Sequence, residues 1–214
     1  KSITEAISHA GTYNDCKVVL TFENSEFITA DNVAETLSKY QGVIICPGFG
    51  NRGIEGKIVA AQYCREHNVP TLGICLGMQI MAIEFARNVL GMTDANSTEM
   101  NPDTQHPVID LMEEQKSITN LGGTMRLGGY ECSIVPGTHL HDAYQCDSIV
   151  ERHRHRYEFN NRYHEAFEAA GMRPVGINPA NNLVEAIELT NAKWYVGVQF
   201  HPEYSSTVLK PHPL

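Results

Sequence analysis

The stretch TLGICLGMQIMAIEF, residues 71 to 85, constrains the fold more than any other part of the chain. TLGI reads as a short buried strand, and a strongly apolar helix-length run begins as soon as the Gly73-Ile74-Cys75-Leu76-Gly77 turn is passed. Strand, tight turn and helix in that order make the geometry of a nucleophile elbow. Glycine is needed on both sides of the cysteine because such a turn presses backbone on backbone, and a Cβ there would clash. The turn lifts Cys75 above the sheet edge and sets its sulfur near a helix N-terminus, where free N–H groups lower a thiolate's pKa. The Leu76 N–H then points where a carbonyl oxygen would turn into an oxyanion. The competing reading is a small core residue, the commonest fate of a free cysteine.

A reactive cysteine needs a base, and WYVGVQFHPEY (194 to 204) supplies a candidate. A buried strand leads into His201, and Glu203 follows two residues later. In extended backbone, positions i and i+2 project to one side, so the carboxylate can reach the far imidazole nitrogen and fix its tautomer. The other nitrogen is left to take the thiol proton. Pro202 has no N–H to satisfy and favours the extended shape. A surface turn or a metal pair is the alternative, and one His with one Glu makes a poor metal site. Functional groups in open α/β sheets gather at the carboxyl ends of strands. Cys75 and His201 each follow a predicted strand, so both belong at one edge.

Other residues point to the same place less sharply. The loop CPGFGNRG (46 to 53) follows the strand GVIICP and can aim a second N–H at an oxyanion. It lacks the Gly-Lys-Ser/Thr ending of a phosphate loop. Gln79 lies one helical turn beyond Cys75 and either faces the same pocket or caps the surface. Glu99 either holds a substrate ammonium or caps a loop. In RHRHR (152 to 156), strand alternation puts the three arginines on one face and His153 and His155 on the other. One arginine either pairs with a substrate carboxylate or joins a solvated ion network.

Around these motifs the chain alternates strand-like and helix-like runs: KVVLTF (17 to 22), ADNVAETLSKY, GVIICP (42 to 47), GIEGKIVAAQYCREHN (53 to 68), TLGI and MQIMAIEFARNVLG (78 to 91). This order predicts an α/β fold, doubly wound, with a mostly parallel central sheet and helices on both faces. Shorter strands after a loop at 96 to 107 predict a smaller antiparallel portion, with a helix at 161 to 172. LVEAIEL (183 to 189) and WYVGVQF predict a strand pair. The chain opens on a helix-like run, SITEAISHAG, so the first strand of such a sheet is expected to be missing and an upstream domain is expected.

At 214 residues the chain makes one large domain. Its formal charge of −9 argues against a binder of nucleic-acid backbone. No apolar run approaches membrane-spanning length, and the six cysteines form no CxxC pair. Reduced thiols and a cytoplasmic location are the expectation.

Taken together, GICLGMQ with the distant HPE resembles the class I glutamine amidotransferases. GFGNRGIEGKI, EFARNVLGMTDANSTE, GGTMRLG and ERHRHRYEFN resemble, within that class, the glutaminase halves of the CTP synthase family. The resemblance covers nearly the whole chain and implies one glutaminase domain over residues 1–214, with an N-terminal amidoligase (synthase) domain absent from it. It implies hydrolysis of L-glutamine through a cysteinyl thioester, with ammonia passed on for amination of UTP to CTP. The catalytic set carried over is Cys75, His201 and Glu203; the glutamine-binding set is Gly48, Leu76, Gln79, Glu99 and Arg156. No metal or cofactor is implied for this domain, ATP and Mg2+ belonging to the absent one, and the full-length relatives imply a tetramer. The loop Pro47-Gly48-Phe49-Gly50 departs from the family's Pro-Gly-Gly-Phe-Gly, which puts the second oxyanion donor in question. A γ-glutamyl hydrolase-like enzyme and a catalytically silent regulatory module are the rival expectations.

Overall fold

A computed structural model describes residues 1–111 and 125–214. The segment GGTMRLG therefore lies partly outside the described residues. Ten strands and six α-helices are described: α1 (Ser2–Tyr13), α2 (Val33–Leu37), β1 (Val43–Ile45), α3 (Ile54–Glu66), β2 (Thr71–Ile74), α4 (Leu76–Asn88), β3 (Asn96–Ser97), β4 (Pro107–Asp110), β5 (Arg126–Ile134), α5 (His139–Tyr144), β6 (Ser148–His155), β7 (Glu158–Phe159), α6 (His164–Ala169), β8 (Met172–Ile177), β9 (Val184–Leu189) and β10 (Tyr195–Val198).

Seven strands form the main sheet in the order β1-β2-β10-β9-β8-β5-β6. Only β1–β2 and β2–β10 are parallel; the other four pairings are antiparallel. The expected mostly parallel, doubly wound sheet is therefore wrong. Connection length explains the difference. A parallel neighbour needs a crossover of a dozen or more residues, usually a helix. α3 provides one between β1 and β2, whereas five residues, 190 to 194, separate β9 from β10 and permit only a hairpin-like return. The βαβ alternation of the first half does not continue past α4.

KVVLTF is also not a strand. Residues 17 to 22 form no regular element and join no ladder among the described residues, and Val19 and Phe22 are 78% and 76% exposed. Among the described residues β1 pairs only with β2, so its outer edge has no strand on it. A cavity of about 630 Å³ lies between these two stretches.

The sheet has apolar layers on both faces. Met78, Ile80, Ile83, Ile187 and Tyr195 pack on one side, and Leu72, Ile74, Val196, Val198 and Phe200 on the other. From Leu76 to Ala86 every residue of α4 is buried, as its all-round apolar sequence requires. Its one charge in that run, Glu84, is fully buried and takes a two-pronged hydrogen bond from Arg65 at 2.7 and 2.9 Å. A buried carboxylate without such a partner is strongly destabilising.

Candidate active site

The elbow forms as its sequence demands. Cys75 has φ 53° and ψ −103°, a strained backbone for a residue with a side chain, directly before α4. A Cβ on Gly77 would lie 2.1 Å from the carbonyl oxygen of Ile45, and one on Gly73 would lie 2.7 Å from the backbone of Gly77. Both glycines are thus fixed by close backbone approach. The Cys75 N–H donates to Val198 O at 2.8 Å and ties the elbow to the neighbouring strand.

Because β2 and β10 are adjacent and parallel, with Ile74 opposite Val198, their carboxyl ends lie side by side. Cys75 and His201 follow those ends. The His201 N–H donates to Arg152 O at 2.8 Å, and His201 Nδ1 is 2.8 Å from Glu203 Oε1. Both side chains are buried. Tyr204 stacks on the imidazole, with centroids 5.0 Å apart and planes 17° from parallel. The backbone is not extended here, contrary to expectation: Pro202–Tyr204 is a 3-10 turn with Pro202 in its first position. Proline's fixed φ suits that first position as well as it suits extended chain. The tight turn still brings the carboxylate to the imidazole.

Among the described residues no hydrogen bond joins Cys75 to His201. The sulfur instead lies 3.6 Å from Gln199 Nε2. Burial pushes the thiol up to about 12, opposed by the Leu76 N–H and the Gln199 amide, while Glu203 and Glu158 add to the rise. The expected depression by the helix N-terminus is therefore outweighed. Desolvation of a sulfur shut inside the protein exceeds what one turn of N–H groups returns.

Gln79 is buried, and its Nε2 donates to Tyr157 O at 3.1 Å and Gln199 Oε1 at 3.2 Å. Tyr157 in turn feels the charges of Glu99 and Arg156. Glu99 Oε1 accepts the Gly50 N–H at 3.3 Å, which ties that carboxylate to the glycine-rich loop. A Cβ on Gly48 would come 3.3 Å from Leu76 Cδ2, so loop and elbow abut. Lys57 Nζ holds the base of the loop through the Cys46 carbonyl at 3.0 Å. Of the eight residues singled out in the sequence, Gly48 faces Leu76 at the elbow and Glu99 holds the same loop through Gly50. Gln79 reaches Tyr157, the chain neighbour of Arg156, and His201 with Glu203 follows the strand beside the one that ends at Cys75. Arg152 and Arg154 are exposed while His153 and His155 are buried, the expected alternation.

Several residues of the neighbourhood escaped sequence reasoning. Gln199 is one; a lone amide in a buried apolar strand, two residues before the base, was the available signal. The others form a buried ionic cluster. Arg126 donates to Glu158 at 3.1 Å and to Glu185 at 2.7 Å. His153 Nδ1 and His155 Nε2 are 2.8 Å apart. Burial raises Glu158 to about 8 against the pull of Arg126, and burial with the Arg126 charge lowers His153 to about 3. No group of three or more His, Cys, Asp or Glu among the described residues is arranged to hold a metal ion.

The whole chain, residues 1–214, matches the family model "Glutamine amidotransferase class-I". A CTP synthase of Bacteroides fragilis is 65% identical over 214 residues, and one of Porphyromonas gingivalis is 57% identical over the same length. The chain spans 40% of the length of these curated relatives. The solved structure titled "Trypanosoma brucei CTPS - glutaminase domain with bound acivicin" superposes with a TM-score of 0.93 at 35% identity, over 99% of this chain and 83% of that one. A glutamine amidotransferase of Thermotoga maritima, at 15% identity and a TM-score of 0.57, shares the fold alone.

Proposed function

Because the chain belongs to the class I glutamine amidotransferase family, we propose that it hydrolyses L-glutamine to glutamate and ammonia, and that the ammonia feeds the amination of UTP to CTP. The observation that carries the reading is the elbow thiol of Cys75 beside the His201–Glu203 pair, at the ends of two adjacent parallel strands. Glu203 accepts from Nδ1–H and leaves Nε2 as the base.

His201 takes the proton of Cys75 as the sulfur attacks the carboxamide carbon. The tetrahedral oxyanion is held by the N–H groups of Leu76 and Gly48. His201 then protonates the departing ammonia, and water attacks the resulting thioester by the same route. Burial disfavours the thiolate of Cys75, which makes a nearby base necessary for the attack. Glu99 pairs with the substrate ammonium and Arg156 with its carboxylate, while Gln79 lines the pocket floor. The Pro47-Gly48-Phe49-Gly50 loop keeps Gly48 against Leu76 despite its departure from the family spelling, which supports a two-donor hole.

Amination of UTP requires a second, amidoligase domain, as does the use of ATP and Mg2+. The loop at 46 to 53 lacks a phosphate loop's ending, and the described residues hold no metal-like cluster; they do not fit those groups, and no step here runs through them. In this reading the working protein is a cytoplasmic tetramer in which the glutaminase abuts its own amidoligase domain.

The test is intact-mass spectrometry of the full chain after exposure to 6-diazo-5-oxo-norleucine, with Cys75→Ala as control. One adduct, mapped to Cys75 and missing from the control, is expected, together with ammonia release from glutamine. A folded protein that forms no adduct and releases no ammonia, even joined to an amidoligase domain, overturns the reading and leaves a silent module.

A further inference from the structure

Among the described residues one side-chain donor lies within hydrogen-bond reach of the Cys75 sulfur, and it is not the base. Gln199 Nε2 lies 3.6 Å from Sγ, in a wholly buried position at the end of β10. Its orientation is forced from outside. The carbonyl of Tyr157 accepts only donors, so the Gln79 amide must turn its Nε2 that way. The same nitrogen then faces Gln199 Oε1. With its oxygen so occupied, Gln199 can present only its NH2 to the sulfur. The Gln199 backbone N–H is fixed in turn on Glu185 O at 2.8 Å.

We propose that Gln199 holds the nucleophile: its amide, oriented through Gln79 and the Tyr157 carbonyl, shares with the Leu76 N–H the stabilisation of the Cys75 thiolate. The charges around the sulfur make such a donor necessary. Glu203, from the turn after β10, and Glu158, from β7, both disfavour a negative sulfur. Arg126 of β5 is spent on Glu158 and Glu185. His153 of β6 is held neutral by burial and the Arg126 charge, and His155 by burial, so neither offers a compensating charge. His201 turns its Nδ1 to Glu203. Among the described residues the uncharged donors at the sulfur are the Leu76 N–H and this glutamine, and the His201 charge arises only once the thiol has given up its proton.

This inference concerns the reading of Cys75 as nucleophile and deepens it, and its test does not depend on glutamine turnover. In the full chain at about pH 8, the rate of iodoacetamide attack mapped to Cys75 is measured, with Cys75→Ala as control. Gln199→Met keeps the volume and removes the donor, and its attack rate should fall about tenfold. Gln199→Glu replaces the donor by a carboxylate and should lower the rate further. Gln79→Met frees the amide to rotate and should give a smaller loss in the same direction. A residue that merely fills space would leave the rate in place. Folded Gln199→Met or Gln199→Glu with the wild-type attack rate overturns the proposal, and either variant suffices if the other fails to fold. Ammonia release from glutamine decides the amidotransferase reading separately: lowered attack rates with no turnover in the wild type would keep the role of Gln199 and remove that reading.

Discussion

Two short apolar runs, TLGI at 71 to 74 and KVVLTF at 17 to 22, look alike in composition and differ entirely in structure. The first lies between β1 and β10, has every residue buried, and ends in a backbone strained to φ 53°. The second has no strand neighbour among the described residues, and two of its apolar side chains are more than three-quarters exposed beside a large cavity. Apolar character makes a run eligible for a sheet; hydrogen-bonded neighbours on both sides make it a core strand. The consequence is chemical. Strain such as that at Cys75 persists only where the surroundings over-determine it, and the middle of the sheet is the region that does so.

If that contrast is right, the largest effects come from the elbow. Cys75→Gly should cut glutamine hydrolysis by about 10⁴-fold or more. Its melting stability should change by less than about 1 kcal/mol, because relief at φ 53° offsets the lost sulfur contacts. Ammonia release and thermal unfolding on one sample check both halves; a large loss of stability would mean the elbow is not strained. Next comes Gly77→Ala. With Ile45 O 2.1 Å from the added Cβ, backbone must move against backbone, and denaturant unfolding should show a loss of about 3 kcal/mol.

Acid sensitivity separates the regions more finely. His153 is neutral in the fold, its pKa lowered from 6.5 to about 3. The unfolded chain binds the proton first, so stability is fully present above pH 6.5 and falls as pH drops toward 3. The slope is at most about 1.4 kcal/mol per pH unit from this group. Unfolding midpoints measured down that limb should fall less steeply in His153→Gln; an unchanged limb would place the acid sensitivity elsewhere. The smallest effect belongs to the open segment. Val19→Ser should alter stability by less than about 0.5 kcal/mol, and a cost of about 2 kcal/mol or more would show that residues 17–23 pack in solution as a core strand does.

Much of the site was legible in the sequence because its chemistry is local. Gly-x-Cys-x-Gly after a strand dictates its own turn, and His-Pro-Glu carries an imidazole and the carboxylate beside it within three residues. The sequence placed Cys75 and His201 at one sheet edge, whereas the parallel adjacency of β2 and β10 was written in neither motif and came from the structure. The sheet's composition was misjudged for a readable reason: the five residues between β9 and β10 are too few for a parallel crossover. Gln199 and the Arg126–Glu158–Glu185 cluster were not legible, since their partners lie 32 to 124 residues away.

The sequence by itself determined the turn at Cys75, the pairing of His201 with Glu203 and the split of His153 and His155 from Arg152 and Arg154 onto opposite faces of β6. Each depends on contacts within a few residues, where backbone geometry leaves little choice. Only the tertiary structure decided the antiparallel majority of the sheet, the unpaired state of KVVLTF and the amide that faces the sulfur. It also decided the sign of the Cys75 shift, because desolvation sums over everything packed around the thiol, whereas the helix N-terminus acts through the few N–H groups of its first turn.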